Sequence, residues 1–178
     1  MTVFTIGHST HTLAELVALL RAHGVARVID VRTVPRSRHN PQFNREDLAR
    51  DLRNRRIGYR HMKALGGLRK TRADSPNTAW RNASFRGFAD YMQTDAFAAA
   101  LARLIELAAQ KPTAILCAEA VPWRCHRSLI ADALTARGIE VRHITSRTHA
   151  GRHVLSPMAR VKSGRVWYPG KDRADEAA

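Results

Sequence analysis

Four uncharged residues, Thr113-Ala114-Ile115-Leu116, run into Cys117, a polar loop and an amphipathic helix that closes at Gly138. A run this short and this apolar reads as a strand covered on both faces. The pattern occurs twice more near the N-terminus. Val3–Ile6 ends in Gly7-His8-Ser9, and Val25–Val31 (VARVIDV) is rich in β-branched residues. Between them Thr12 and Glu15 form a capping-box pattern, Leu13, Leu16, Val17 and Leu20 form an apolar stripe, and Gly24 stands at the C′ position. Buried strands alternating with capped helices predict an α/β fold with a predominantly parallel sheet flanked by helices, the first two strands joined by a right-handed crossover.

The rest of the chain fits that scheme. Thr33–Phe43 is a polar, proline-containing loop, Asn44 is placed to cap a helix to about Arg56, and Ile57–Met62 reads as a short strand. Leu65–Asn82 is basic, contains glycine and has no clear period, which suits a functional or disordered loop. Phe85, Phe88, Tyr91 and Met92 mark a helical face that Phe97, Leu101, Leu104, Ile105 and Ala108 continue to about Gln110. Ile139–Ile144 gives a last strand, and Ser163-Gly164 predicts a C-terminal hairpin. Residues 1–170 read as a single domain and 171–178 (KDRADEAA) as a disordered tail.

Charge narrows the partners. The formal net charge is +15, and the segment Arg32–Arg86 holds 15 basic residues against four acids. Most of the cations are arginine, whose fork matches phosphate oxygens bidentately, so the excess points to nucleic acid or a phosphorylated ligand. Arginine-rich codon usage on a solvated surface would give the same total but not the clustering. No apolar run approaches the length of a membrane span, and the N-terminus lacks a secretory pattern, so a cytoplasmic location without membrane contact is expected. Two cysteines, Cys117 and Cys125, are too few for a disulfide scaffold and read as free thiols.

Polar residues gather where strands end: His8 and Ser9 after the first, Asp30 and Arg32 at the second, Cys117 and Glu119 at the third apolar run. Ligands of open parallel sheets bind outside the carboxyl ends of strands, so these segments predict one shared rim. Cys125, His126 and Arg127 open the helix beyond it, and Arg36 and Arg38, with Arg69 and Lys70, extend it as a basic surface. Singly, each residue could be structural: Asp30 a partner for Arg32, Ser9 a helix cap, Cys117 a small buried hydrophobe. Glu119 needs a partner, for which Arg124 and Arg127 are the local candidates.

Three chemistries fit the rim. In the leading one, the loop is a rigid pocket binding the phosphate of a nucleotide or nucleic acid at a helix N-terminus. In the second, Cys117 is a catalytic nucleophile for sulfur transfer or phosphate-ester hydrolysis, since strand-Cys-loop-Arg-helix is the layout of rhodanese and cysteine-phosphatase loops. Against it, this loop carries Pro122 and Trp123 where those loops are short and glycine-rich. In the third, Cys117, Glu119, Cys125 and His126 bind a metal, although the spacing matches no strong zinc pattern and adjacent residues diverge on a helix. No motif names a cofactor.

With these segments in hand, the chain resembles the Domain of Unknown Function 488 family. The resemblance rests on TIGHST, DVRTVPRSRHNPQF, LGGLR, AWRNASFRGFADYM, CAEAVPWRCHRSLIADAL and the closing HVLSPMARVKSGRVWYP. It implies a compact α/β domain without an established activity. It also implies that His8, Ser9, Asp30, Arg32, Cys117, Glu119, Cys125, His126 and Arg127 are positions of interest, with no roles attached.

Overall fold

A computed structural model describes residues 1–170; the expected tail, 171–178, lies outside the described residues. Strands β1 (Thr2–Gly7), β2 (Arg27–Asp30), β3 (Gly58–His61), β4 (Thr113–Cys117), β5 (Glu140–Ile144) and β6 (Ala150–Arg152) form one sheet in the order β3-β2-β4-β1-β5-β6. All neighbours are parallel except β5 and β6. The fold is therefore α/β with a mostly parallel sheet, and a separate antiparallel hairpin, β7 (Arg160–Lys162) and β8 (Arg165–Trp167), follows. Ser163 and Gly164 both take positive φ, 50° and 72°, at its turn, as a two-residue hairpin connection requires.

The period of two along each strand sorts the core into two halves. Val3, Ile29, Val31 and Ile115 face helices α3 (Ala83–Tyr91), α4 (Asp95–Gln110) and α5 (Arg127–Thr135). Ile6, Val28, Ala114 and Leu116 face α1 (Leu13–Ala22) and α2 (Arg45–Asn54). Both groups are essentially inaccessible to water, which is why the strands carry so few charges.

The opening strands β1 and β2 are parallel, as expected, and β4 inserts between them. Two local readings need correction. The long helix read across 85–110 is two: Thr94 ends the continuity, its Oγ1 accepting the Phe97 N–H at 3.2 Å. Asn44 does precede α2, but its Oδ1 accepts the Ser37 N–H and leaves the helix uncapped by a side chain. The loop across 66–82 is ordered around the buried Asp90 carboxylate, which accepts from Arg72 N, Ser75 Oγ and Asn77 Nδ2. No helix among the described residues is long and apolar enough to cross a membrane.

Candidate functional site

Above the carboxyl ends of β1, β2 and β4 lies a cleft of about 700 Å³, lined among others by His8, Arg32, Cys117, Glu119, Cys125 and His126. The parallel register brings them together: Gly7 sits opposite Cys117 and Asp30 opposite Leu116, so three strands end at one level. The β1 end is then sewn to the β4 loop, His8 N–H donating to Cys117 O and Ser9 N–H to Ala118 O, both at 2.9 Å. A Cβ on Gly7 would stand 1.9 Å from the Glu119 carbonyl oxygen, so only glycine permits this approach.

The β2 end is a closed ion pair. Arg32 and Asp30 are 5% and 0% exposed. Arg32 Nε donates to Asp30 Oδ1 at 2.9 Å and Nη2 to Oδ2 at 2.6 Å, while Nη2 also reaches Phe43 O at 2.8 Å. Tyr59 donates its hydroxyl to Asp30 Oδ2 at 2.7 Å, and burial beside that carboxylate pushes the phenol well up. The remaining Arg32 nitrogen, Nη1, meets His8 Nε2 at 3.2 Å. Arginine can only donate, so His8 Nε2 accepts and the imidazole carries its proton on Nδ1, which donates to Ser9 O at 3.0 Å. Stacked on Phe43 with centroids 4.3 Å apart, His8 is a buried neutral histidine. Desolvation, with Arg32 opposing a second positive charge, brings its pKa down to about 4.

The β4–α5 junction is built differently. A 3-10 turn at Pro122–Arg124 is followed by Cys125 in extended conformation (φ −132°, ψ 145°) and by His126 in the αR region before α5. Cys125 and His126 thus precede the helix rather than lie within it, and their side chains converge. Cys125 Sγ and His126 Nδ1 are 3.7 Å apart, and the two sulfurs and a ring nitrogen of His126 all lie within 4.8 Å of one another. His126 Nε2 faces the carbonyls of Val31 (3.2 Å) and Leu65 (3.1 Å), so that nitrogen bears the proton and Nδ1 turns its lone pair to the sulfurs. Arg127, 1% exposed, donates Nε–H to Cys125 Sγ at 3.4 Å, Nη1–H to Thr5 Oγ1 at 3.5 Å and Nη2–H to the Glu119 carbonyl.

Of the two adjacent thiols, Cys125 is the one shifted towards the thiolate. The hydrogen bond from Cys117 is the largest cause, and Arg127 adds to it against the cost of burial. The same hydrogen bond and burial push Cys117 up. Position agrees, since Cys125 precedes a helix N-terminus and Cys117 ends a strand. Of the two sulfurs, Cys125 is therefore the one poised to bear the charge.

Other residues distribute themselves around this core. Ser9 and Arg36 line the cleft, Asp30 and Arg127 lie beneath its surface, and Arg38 is exposed outside it. Glu119 is exposed and accepts the Val121 N–H at 3.0 Å; it makes no ion pair among the described residues, and Arg127 takes its carbonyl instead. Arg69 lies 3.6 Å over the Tyr91 ring and binds the Gly66 and Ala64 carbonyls, so it pins the loop rather than facing a partner.

Several contributors carry no sequence signal of their own. Phe43 and Tyr59 support the His8–Arg32–Asp30 group from separate segments. On the other side a chain of hydrogen bonds leads from Arg127 through Thr5, His143 and His153 to Asp132, with separations of 3.5, 2.7, 2.9 and 2.8 Å. Thr33, Leu68, Ser84 and Phe85 complete the cleft wall; of these, Leu68 falls in LGGLR and the others in the remaining family segments.

Residues 12–134 match the family described as Domain of unknown function DUF488, a span that includes Arg32, Cys117, Cys125, His126 and Arg127 but not His8. No curated protein and no solved structure matches the chain.

Proposed function

The chain belongs to the DUF488 family, whose description carries no activity, and from the geometry of its cleft we propose that it binds a phosphate-bearing ligand of nucleotide size. The observation that carries this reading is a pair of guanidinium groups, Arg36 and Arg124. Both are exposed, both line the cleft, and neither meets a carboxylate among the described residues. They stand in contrast to Arg32, Arg50 and Arg72, whose charges are taken up by aspartates. Free arginine forks on a concave wall suit phosphate oxygens.

The rest of the wall suits the remainder of a nucleotide. Val34 and Leu68 are exposed at the cleft with Phe85 beside them, an apolar and partly aromatic surface for a planar ring. A volume of about 700 Å³ falls in the usual range for small-ligand sites. The wider basic segment makes a nucleic-acid end the competing source of the same phosphate.

Calorimetric titration with nucleoside mono-, di- and triphosphates, inorganic phosphate and a short single-stranded oligonucleotide tests the proposal. Nucleotide binding that weakens about tenfold or more in Arg36→Ala and Arg124→Ala is expected, each loss corresponding to one charge-assisted contact of roughly 1.5–3 kcal/mol. Oligonucleotide binding with a steep salt dependence and no nucleotide binding would move the reading to nucleic acid. Binding of neither ends it.

A further inference from the structure

We infer that Cys117, Cys125 and His126 form a three-ligand site for a soft divalent cation, zinc(II) first, with its fourth coordination position open to the cleft. Bonds of about 2.3 Å to sulfur and about 2.0 Å to nitrogen at tetrahedral angles place ligand atoms roughly 3.5–3.8 Å apart. Cys125 Sγ and His126 Nδ1 are already 3.7 Å apart, and no separation in the trio exceeds 4.8 Å. Ligation therefore asks for a shift of about 1 Å at most, within the reach of a cysteine χ1 rotation.

The surroundings are those of a metal-binding imidazole. A ligating histidine usually donates its second ring N–H to a carbonyl or carboxylate, which fixes the tautomer and aims the lone pair. His126 does this twice, to Val31 O and Leu65 O. Gly67 supports the same reading, because a Cβ there would stand 2.6 Å from His126 Nδ1 and crowd the atom that must bind. Arg127 Nε–H meets Cys125 Sγ from beneath and disperses thiolate charge without occupying the cleft side.

Three protein ligands, two cysteines and a histidine, form a set known from catalytic zinc centres, where water or substrate completes the tetrahedron. Glu119 lines the cleft outside the trio, its carboxylate turned to the Val121 N–H. The inference rests on the proposed function only for the role of the open position.

Elemental analysis of the full-length protein as purified, followed by chelation and titration with cobalt(II), tests the site. One cobalt per chain is expected, with sulfur-to-cobalt charge-transfer absorption, strong visible bands of tetrahedral coordination, and displacement by zinc. Cys117→Ser, at the half-buried ligand, should weaken the charge-transfer intensity while the protein stays folded by circular dichroism. His126→Ala should lower zinc affinity by more than the ~10–100-fold that loss of a supporting hydrogen bond costs. Weak visible bands without charge transfer, or alkylation of both cysteines unaffected by zinc, overturns the inference and leaves Cys125 a free cysteine. Cobalt spectra without nucleotide binding refute only the ligand proposal, and nucleotide binding without metal refutes only this one.

Discussion

Arg32 and Arg127 are both buried under the same cleft, 5% and 1% exposed, and they are neutralised in opposite ways. Arg32 meets Asp30 in a two-pronged ion pair, with Tyr59, Phe43 O and His8 taking up what remains. Arg127 meets a sulfur, a hydroxyl and a carbonyl, and no carboxylate among the described residues lies within ion-pair distance. Burying a charge without an opposite charge is costly. The β2 end is thus electrically complete in the protein alone, whereas the β4–α5 junction gains from an anionic Cys125 and from whatever that sulfur binds. The first arrangement builds a wall; the second leaves the guanidinium to groups that carry no full opposite charge of their own.

The sharpest way to break this contrast is Asp30→Asn. It strands Arg32 in the interior, and a loss of about 3–5 kcal/mol in urea unfolding is expected. A loss below about 1 kcal/mol would mean that Arg32 is no better compensated than Arg127.

The second effect is pH dependence on the Arg32 side. His8 is held neutral with a folded-state pKa of about 4 against an ordinary value of 6.5. The unfolded chain therefore binds the extra proton first as pH falls. Stability from this group is complete above about pH 6.5 and is lost progressively down to about pH 4, by roughly 3 kcal/mol. Unfolding curves across that window should show the decline, and His8→Gln should reduce it, leaving the part due to His143, whose pKa burial and His153 also bring down to about 4. A variant that declines as steeply as the native chain would assign the effect to another group.

The smallest expected stability change is Arg127→Lys, which keeps the charge and gives up the fork, at about 1–2 kcal/mol. Its more telling readout is chemical. In chelator-treated protein the pH profile of Cys125 alkylation, followed by mass spectrometry, should move to higher pH once the Nε–H contact is gone. An unmoved profile would show that Cys117 holds the thiolate unaided and would narrow the contrast to that residue.

Local signals in the sequence carried much of the fold. Thr12 and Glu15 make both hydrogen bonds of the capping box, and the hairpin turns at Ser163-Gly164 as its dipeptide implies. Strand order was not legible, because which strand lies between β1 and β2 depends on contacts across most of the chain. The break at Thr94 hid behind an apolar face that continues in register from Phe88 to Phe97. At the cleft, residue types and strand ends pointed to residues that the structure brings to one rim. The convergence of Cys125 with His126 did not show, since it depends on backbone angles that differ across one peptide unit. Nor did the partner of Arg127, where a carbonyl of Glu119 stands in place of its carboxylate.

The insertion of β4 between β1 and β2 also sets the order of events when the chain is made. Val3 and Arg27 both pair with Thr113, so the first three strands emerge during synthesis well before the one that joins them. Contacts of such sequence separation slow folding, and until they close, β1 and the β2–β3 pair expose unmated edges to other nascent chains. The N-terminal part of this protein is thus not a smaller version of the fold awaiting decoration. It is two sheet fragments that become one only when Thr113–Cys117 arrives, and the same strand that completes the sheet delivers the first sulfur to the cleft.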